Sequence, residues 1–155
     1  MITYRTATLS DAPALAKLRV LFLIEAGNMP PEVDRAELER SLLDYFEASL
    51  ADGSFAAWLA LAGDRIIATS GMSFSANPPS WGSRGGKAVY ISNMYTIPEY
   101  RRQGIAKEIF RLVLSQAKTH GCDKITLYAT DMGRSLYEKF GFHGSPGYME
   151  LALCP

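Results

Sequence analysis

The sequence predicts one α/β domain (α+β in some classifications), with a mixed, mostly antiparallel, twisted sheet flanked by helices. Apolar runs typical of strands alternate with amphipathic segments typical of helices. The predicted elements follow the order β-α-α-β-β-β-α-β-α-β. The chain has 155 residues, a length that suits a single domain. No internal repeat, linker or low-complexity tract divides the sequence, so we expect one domain over residues 1–155.

The first half of the chain predicts one strand, two helices and a hairpin. Alternation of side chains indicates the first strand, and apolar residues at helical spacing indicate the two helices. The turn Ala62-Gly63-Asp64 separates two apolar runs, which predicts an antiparallel pair. The predicted strands are Ile2 to Thr6, Phe55 to Ala62 and Arg65 to Phe74, and the predicted helices run from Ser10 or Asp11 to Gly27 and from Asp34 to Ala51.

The second half predicts a long loop and then strands and helices in alternation. The loop, residues 75–86, contains two prolines and three glycines. The helix that follows residue 104 has a strong apolar face with lysine and arginine on its polar side. The predicted elements are strand Ala88 to Thr96, helix Gly104 to His120, strand Lys124 to Ala129, helix Gly133 to Phe140 and strand Tyr148 to Leu153.

Charge and composition argue against several classes of protein. The 16 Lys and Arg residues balance the 16 Asp and Glu residues, so we expect neither nucleic acid nor a membrane as a partner. The N-terminus lacks the apolar core of a secretory signal, which predicts a cytoplasmic protein. Cys122 and Cys154 form neither a disulfide framework nor a zinc pattern, so we expect structural cysteines and no metal.

The segment Asn93 to Ala106, NMYTIPEYRRQGIA, carries the clearest chemical signal. A predicted strand ends at a proline, a short turn carries Arg101 and Arg102, and Gly104 opens a helix. A helix N-terminus has unpaired backbone N–H groups and a positive dipole end, and both favour phosphate. Glycine lets a pyrophosphate approach the backbone closely. The segment therefore predicts a phosphate cradle, although an ordinary strand-turn-helix corner is the alternative.

A second segment, MGRSLYEKFGF from Met132 to Phe142, places Tyr137 within a short helix that ends at Gly141. Taken alone, this tyrosine has the spacing of a core aromatic residue. The two segments together resemble the GCN5-related N-acetyltransferase (GNAT) family. RRQGIA resembles that family's pyrophosphate loop, and LYEKFGF resembles its LYxKxGF segment. The order of predicted elements is also similar, so the resemblance covers essentially the whole chain.

The resemblance implies acetyl-CoA as co-substrate and assigns residues to it. The backbone of Met94, Tyr95 and Thr96 is expected to pair with the pantetheine arm as an added strand. The fourth and fifth strands are expected to splay to admit it. The pyrophosphate would be held by the loop residues Arg101, Arg102, Gln103, Gly104, Ile105 and Ala106, mainly through backbone N–H groups.

The resemblance also implies a catalytic role for Tyr137, which would protonate the departing thiolate. Seven positions before this tyrosine, where the family often has Asn, this chain has Thr130 followed by Asp131. It is open which of the two replaces the usual contact to the pantetheine. A backbone N–H near Met94 or Thr96 is expected to stabilise the oxyanion.

The acceptor amine must lose a proton before it attacks the thioester, but no motif identifies the base. Each candidate also has a structural interpretation, as a solvated carboxylate or a packed aromatic. The candidates by location are Glu25, Glu32, Glu99, Tyr90 and Tyr95.

The sequence therefore predicts direct transfer of acetyl to an amine, with a small-molecule amine as the leading acceptor. One alternative is acetylation of a protein N-terminus or lysine. Another is a non-catalytic module that senses acyl-CoA or binds a partner. Family analogy alone suggests a homodimer.

Overall fold

A computed structural model describes residues 1–27 and 29–153, and it contains the predicted mixed sheet. The strands are β1 Ile2–Thr6, β2 Phe55–Ala62, β3 Arg65–Ala76, β4 Lys87–Thr96 and β5 Lys124–Leu127. The helices are α1 Ala12–Glu25, α2 Arg35–Asp52, α3 Ile105–Thr119 and α4 Asp131–Lys139, with short 3₁₀ turns at Leu9–Asp11 and Pro98–Tyr100. None of the helices in these two ranges combines the length and apolarity needed to cross a membrane.

The five strands lie side by side in the order in which they occur along the chain. β1 to β4 pair antiparallel with their neighbours, and β5 runs parallel to β4. The parallel pair is possible because α3 carries the chain back across the sheet between the two strands. This confirms the mixed, mostly antiparallel sheet that the sequence predicts.

The sheet has a separate apolar core on each of its faces. On one face, α1 and α2 bury a cluster against β2 that includes Leu15, Phe46 and Leu59. On the other face, α3 buries Ile109, Phe110 and related side chains against β2, β3 and β4. The side chains of β2 pack alternately into the two cores, because successive side chains of a strand lie on opposite faces of the sheet.

The predicted last strand, Tyr148 to Leu153, is wrong. These residues have no strand assignment, and their side chains are exposed, from 72% for Tyr148 to 91% for Met149. The sequence alternates in the manner of a strand, but a strand forms only when its backbone groups pair with a neighbouring edge. In the described part of the chain, β5 pairs only with β4. Cys154 lies outside the described residues.

Candidate functional site

The centre of β4 is distorted by a bulge. Ser92 pairs with Gly71 and Tyr95 pairs with Thr69, so the single residue Ser70 lies opposite both Asn93 and Met94. The extra residue of a bulge is left out of the ladder and redirects the strand. Asn93 adopts a left-handed conformation with φ 54°, which is uncommon for a residue other than glycine.

The side chain of Asn93 is buried, with 3% exposure, and neither of its amide atoms has a hydrogen-bond partner in the described chain. A buried amide without partners is costly, and in native proteins it points to a bound molecule or water.

Beyond the bulge, β4 has a free edge on the side of β5. The parallel pairing covers only Ala88 to Ile91 of β4, and β5 ends at Leu127, earlier than predicted. β4 continues to Thr96, so the segment that contains Met94, Tyr95 and Thr96 is paired with β3 but not with β5. An extended ligand can add to such an edge through backbone hydrogen bonds. The pairing of the two strands therefore stops before Met94, as the predicted splay requires.

The free edge leads directly to the start of α3. Arg102 and Gly104 both adopt left-handed backbone conformations, with φ values of 61° and 79°. The first helical hydrogen bond runs from Glu108 N–H to the Gly104 carbonyl at 3.1 Å. The N–H groups that precede it in the first turn have no acceptor within the helix. A Cβ built on Gly104 would meet no atom within 4 Å, so the space above this helix end is open to an anion.

Arg101 is occupied by contacts within the protein. Its guanidinium donates to both carboxylate oxygens of Glu25 at 2.5 and 2.7 Å, and its Nε donates to the Thr96 carbonyl at 2.8 Å. The ion pair therefore ties the end of α1 to the end of β4. The Arg101 hydrogen bonds lower the pKa of Glu25, which makes Glu25 a weak proton acceptor. Arg102, in contrast, is exposed.

Tyr137 lies in α4 with its ring buried, at 7% exposure. The ring packs against Phe110 at a centroid distance of 5.1 Å and against Phe142 at 6.3 Å. Its hydroxyl has no side-chain partner in the described chain but is not sealed from solvent. Burial, followed by the charge of Tyr90, raises the pKa of Tyr137 to about 12. The hydroxyl therefore keeps its proton at neutral pH and can donate it.

Thr130, at the position where the family often has Asn, caps α4. Its hydroxyl accepts a hydrogen bond from Gly133 N–H at 3.3 Å, which is the usual role of an N-cap threonine. Asp131 is exposed at the start of the helix, where a negative charge suits the helix dipole. Both residues thus have structural roles at the start of α4.

The five candidate bases differ in their exposure and in their ion pairs. Glu25 is held by Arg101, and Tyr95 is buried, with its pKa raised mainly by burial. Glu32 is exposed, and Glu99 is exposed beside Arg65 at 3.5 Å. Tyr90 is about half exposed on β4 and takes part in no ion pair within the described ranges.

Two residues of interest were missed at the level of sequence. Asn93 follows Ser92 between the apolar residues Ile91 and Met94 of β4, and two adjacent polar residues within this strand were the available signal. Arg19 shares a helical face with Leu15 and Phe22, at spacings of four and three residues. A cation on an apolar face was the signal there. Among the described residues, no group of three or more His, Cys, Asp or Glu is placed to hold a metal ion.

Comparison with solved structures gives a match over the whole fold. The crystal structure of a predicted acetyltransferase from Clostridium acetobutylicum with acetyl-CoA superimposes with a TM-score of 0.91 at 35% sequence identity. The alignment covers 99% of this chain and 97% of that chain.

Curated relatives give partial matches. The chain is 30% identical over 125 residues to the Mus musculus probable N-acetyltransferase family 8 member 5, covering 79% of this chain and 50% of the relative. It is 32% identical over 72 residues to the glucosamine 6-phosphate N-acetyltransferase of Trypanosoma brucei brucei, covering 46% of this chain and 49% of the relative. The chain spans about half the length of these relatives. The model of the acetyltransferase (GNAT) family matches residues 20–142, most of the chain and all the elements of the site, so the chain belongs to the GNAT acetyltransferase family.

Proposed function

We propose that this chain is an acetyl-CoA-dependent N-acetyltransferase that acts on a small-molecule amine by direct attack in a ternary complex. The observation that carries the proposal is the free edge of β4, which continues through a short turn that contains Pro98–Tyr100 to the open N-terminus of α3. An extended arm that ends in a pyrophosphate fits such a strip, because the edge offers strand-like pairing and the helix start offers N–H donors.

In this proposal, the residues predicted from sequence bind different parts of acetyl-CoA. The backbone of Met94, Tyr95 and Thr96 pairs with the pantetheine arm, and the backbone of Arg102, Gln103, Gly104, Ile105 and Ala106 holds the pyrophosphate. The exposed side chain of Arg102 adds a positive charge beside the pyrophosphate. Arg101 contributes indirectly, because its ion pair with Glu25 holds the turn in place.

The chemistry needs no covalent intermediate on the protein. Acetyl-CoA supplies a thioester whose carbonyl carbon accepts the amine nitrogen, so a C–N bond forms and the C–S bond breaks. Backbone N–H groups at the β4 bulge near Met94 donate to the oxyanion. The Tyr137 hydroxyl gives its proton to the thiolate, and the amine proton leaves to solvent, directly or through Tyr90.

The name of the trypanosomal relative supports a small acceptor over a protein, because it refers to a small amine, glucosamine 6-phosphate. Acetylation of a protein N-terminus or lysine is the same chemistry on a larger acceptor, and the next experiment distinguishes them.

The test measures free thiol released from acetyl-CoA with a panel of small amines, lysine-containing peptides and peptide N-termini, with mass spectrometry to detect the acetylated product. We expect transfer to at least one small amine at a rate well above that with any peptide. Faster transfer to peptides than to any small amine would show that the acceptor is a protein and would overturn the proposal of a small-molecule acceptor. Tight binding of acetyl-CoA without transfer to any amine would favour the non-catalytic module.

The cysteines should be dispensable for this chemistry, because no step uses a thiol of the protein. Burial raises the pKa of the Cys122 thiol, which disfavours the nucleophilic thiolate. The double variant Cys122→Ala and Cys154→Ala should retain kcat within about threefold, with some loss of thermal stability from the smaller side chain. An acetylated cysteine that forms and decays at the rate of turnover would contradict direct transfer.

Gly133→Ala should lower activity while the helix gains stability. A Cβ at Gly133 would lie 2.9 Å from Cε2 and 3.2 Å from Oη of Tyr137, so the phenol must shift. Alanine in place of glycine also favours a helix by about 1 kcal/mol. We expect kcat to fall about tenfold, with acetyl-CoA affinity little changed and Tm equal or higher. A Tm increase with full activity would show that the position of the Tyr137 hydroxyl is not critical.

A further inference from the structure

Arg19 is an arginine withdrawn from solvent without a carboxylate partner. Of the arginines in the two described ranges, Arg19 and Arg101 are only partly exposed and the others are exposed. Arg101 pairs with Glu25, whereas Arg19 forms no salt bridge with any described residue. A guanidinium partly removed from water loses hydration, and no anion among the described residues replaces it. This imbalance is expected at a site that receives an anion.

An aromatic ring positions the Arg19 guanidinium. Its central carbon lies 5.4 Å from the centroid of the Phe22 ring, almost one turn further along α1. Phe22 in turn packs edge-on against Tyr95 of β4 at 6.4 Å. Contact with a ring face uses none of the guanidinium N–H groups, which remain available as a planar fork of donors. Phe22 therefore positions the guanidinium and leaves its N–H groups free to bind a ligand.

Three hydroxyl groups lie in the neighbourhood of Arg19. The hydroxyls of Tyr45 in α2 and Ser73 in β3 are hydrogen-bonded at 3.2 Å, and Ser73 is paired in register with Tyr90 of β4. Arg19 lies on α1, and α1 packs against α2, β3 and β4, the elements that carry these three residues. Burial lowers the pKa of Arg19. Both tyrosines are about half exposed, so solvent and ligands can reach them. We refer to Arg19, Tyr45, Ser73 and Tyr90 as the Arg19 cluster.

The same contacts relate Arg19 to the free edge of β4. Arg19 lies over Phe22, and Phe22 packs against Tyr95, one of the three residues whose backbone pairs with the pantetheine arm in the proposed function. An anionic group bound at Arg19 therefore lies close to the strand along which the thioester would lie.

We propose that the Arg19 cluster is the acceptor subsite and that it selects amines that carry an anionic group, a carboxylate or a phosphate, at the end remote from the amine. This inference rests on the proposed acetyl transfer. The guanidinium fork matches the two oxygens of either anion, and the tyrosine hydroxyls can donate further hydrogen bonds. Charge-assisted hydrogen bonds of this kind favour the anionic acceptor over a neutral one by about 10- to 100-fold.

The experiment compares acceptors that share the amine and its carbon chain, one member of each pair with an anionic group at the remote end and the other with a neutral group there. One pair is 5-aminopentanoate and 5-aminopentanamide, and the other is 3-aminopropyl phosphate and 3-aminopropanol. The measured quantity is the ratio of kcat/KM within each pair, which cancels general effects on catalysis. We expect the wild-type enzyme to favour the anionic member of at least one pair by about 10- to 100-fold, mainly through KM. The pair with the larger ratio identifies the anion.

Three variants test whether Arg19 causes the preference. Arg19→Met keeps a long apolar stem and should bring the ratio close to one, and Arg19→Lys keeps the charge and should retain part of the preference. Lys17→Met is the matched control, because Lys17 is an exposed cation on the same helix, and it should leave the wild-type ratio unchanged. An undiminished ratio in Arg19→Met would overturn the proposal and leave Arg19 as a packing residue against Phe22.

A binding measurement separates failure of this inference from failure of the proposed function. Calorimetry of the CoA-loaded protein should show that 5-acetamidopentanoate or 3-acetamidopropyl phosphate binds more tightly than its neutral counterpart, and that Arg19→Met removes the difference. If no amine is acetylated but this binding preference holds, acetyl transfer fails and the anion subsite stands. If amines are acetylated without any preference for charge in either assay, the transferase stands and the subsite is refuted.

Discussion

Replacement of Gly104 by glutamate should abolish binding of acetyl-CoA while the domain stays folded. The space above Gly104 is open, and in the proposed function the pyrophosphate occupies it. A glutamate would fill this space and place a negative charge where negative phosphates must sit. Loss of the cradle should weaken binding by at least about 100-fold, since several charge-assisted hydrogen bonds are removed together. Isothermal titration calorimetry with acetyl-CoA measures the effect.

The matched control is Gly121→Glu, at the other end of α3. Gly121 also has a left-handed backbone, with φ 70° against 79° for Gly104, and a Cβ there also meets no atom within 4 Å. Both variants therefore carry a similar conformational cost, of about 1–2 kcal/mol. Only Gly104 lies at the helix N-terminus that would bind phosphate. Equal loss of affinity in the two variants, or full affinity in Gly104→Glu, would show that acetyl-CoA does not bind at the N-terminus of α3.

The path from β4 through the turn to α3 was predictable because its determinants are local. An apolar strand, a proline, a glycine and an amphipathic helix follow one another within Asn93 to Thr119, and each is read from neighbouring residues. The fold class followed from the same local signals. What could not be read locally was the ion pair of Arg101 with Glu25, because 76 residues separate them. It exists because α1 ends where β4 ends.

Two of the features missed or mistaken in the sequence depend on pairing across strands. The left-handed conformation of Asn93 arises from the shift in register between β3 and β4, and alternation within a single strand contains no such information. The same limit explains the error at residues 148–153, where alternation is present but the residues pair with no neighbouring strand that the structure describes. Arg19 could have been noted as a cation on an apolar helix face, yet its lack of a carboxylate required the arrangement of α1, α2 and β4.

Tyr137→Phe should reduce kcat about 100-fold with little change in acetyl-CoA affinity. The substitution keeps the ring and its contacts with Phe110 and Phe142 and removes only the hydroxyl. General-acid catalysis typically contributes about 10²–10⁴-fold in rate. The lower end is expected because an alkyl thiol has a pKa of roughly 8.5, so its thiolate departs tolerably well without a proton. The backbone of β4 and α3 holds the cofactor, which leaves its affinity independent of the phenol.

The raised pKa of Tyr137 gives this prediction a second readout. Because burial lifts that pKa to about 12, the folded enzyme keeps the phenol protonated throughout the range in which it can be assayed. The wild-type profile of kcat should therefore show no loss from ionisation of this tyrosine below about pH 10, the ordinary pKa of a phenol. The same shift stabilises the fold below pH 10, where both states are protonated, and that contribution is lost as the pH rises toward 12.

Tyr4→Phe is the matched control for removal of a tyrosine hydroxyl. Tyr4 lies in β1 at the opposite edge of the sheet, and its partly buried ring packs against the same core. It should turn over at the wild-type rate, because nothing in the proposed mechanism reaches β1. If Tyr137→Phe also does so while circular dichroism shows a folded protein, the hydroxyl is not the acid. Tyr137 is then a core aromatic residue, and the proton for the thiolate comes from solvent that reaches the splay between β4 and β5.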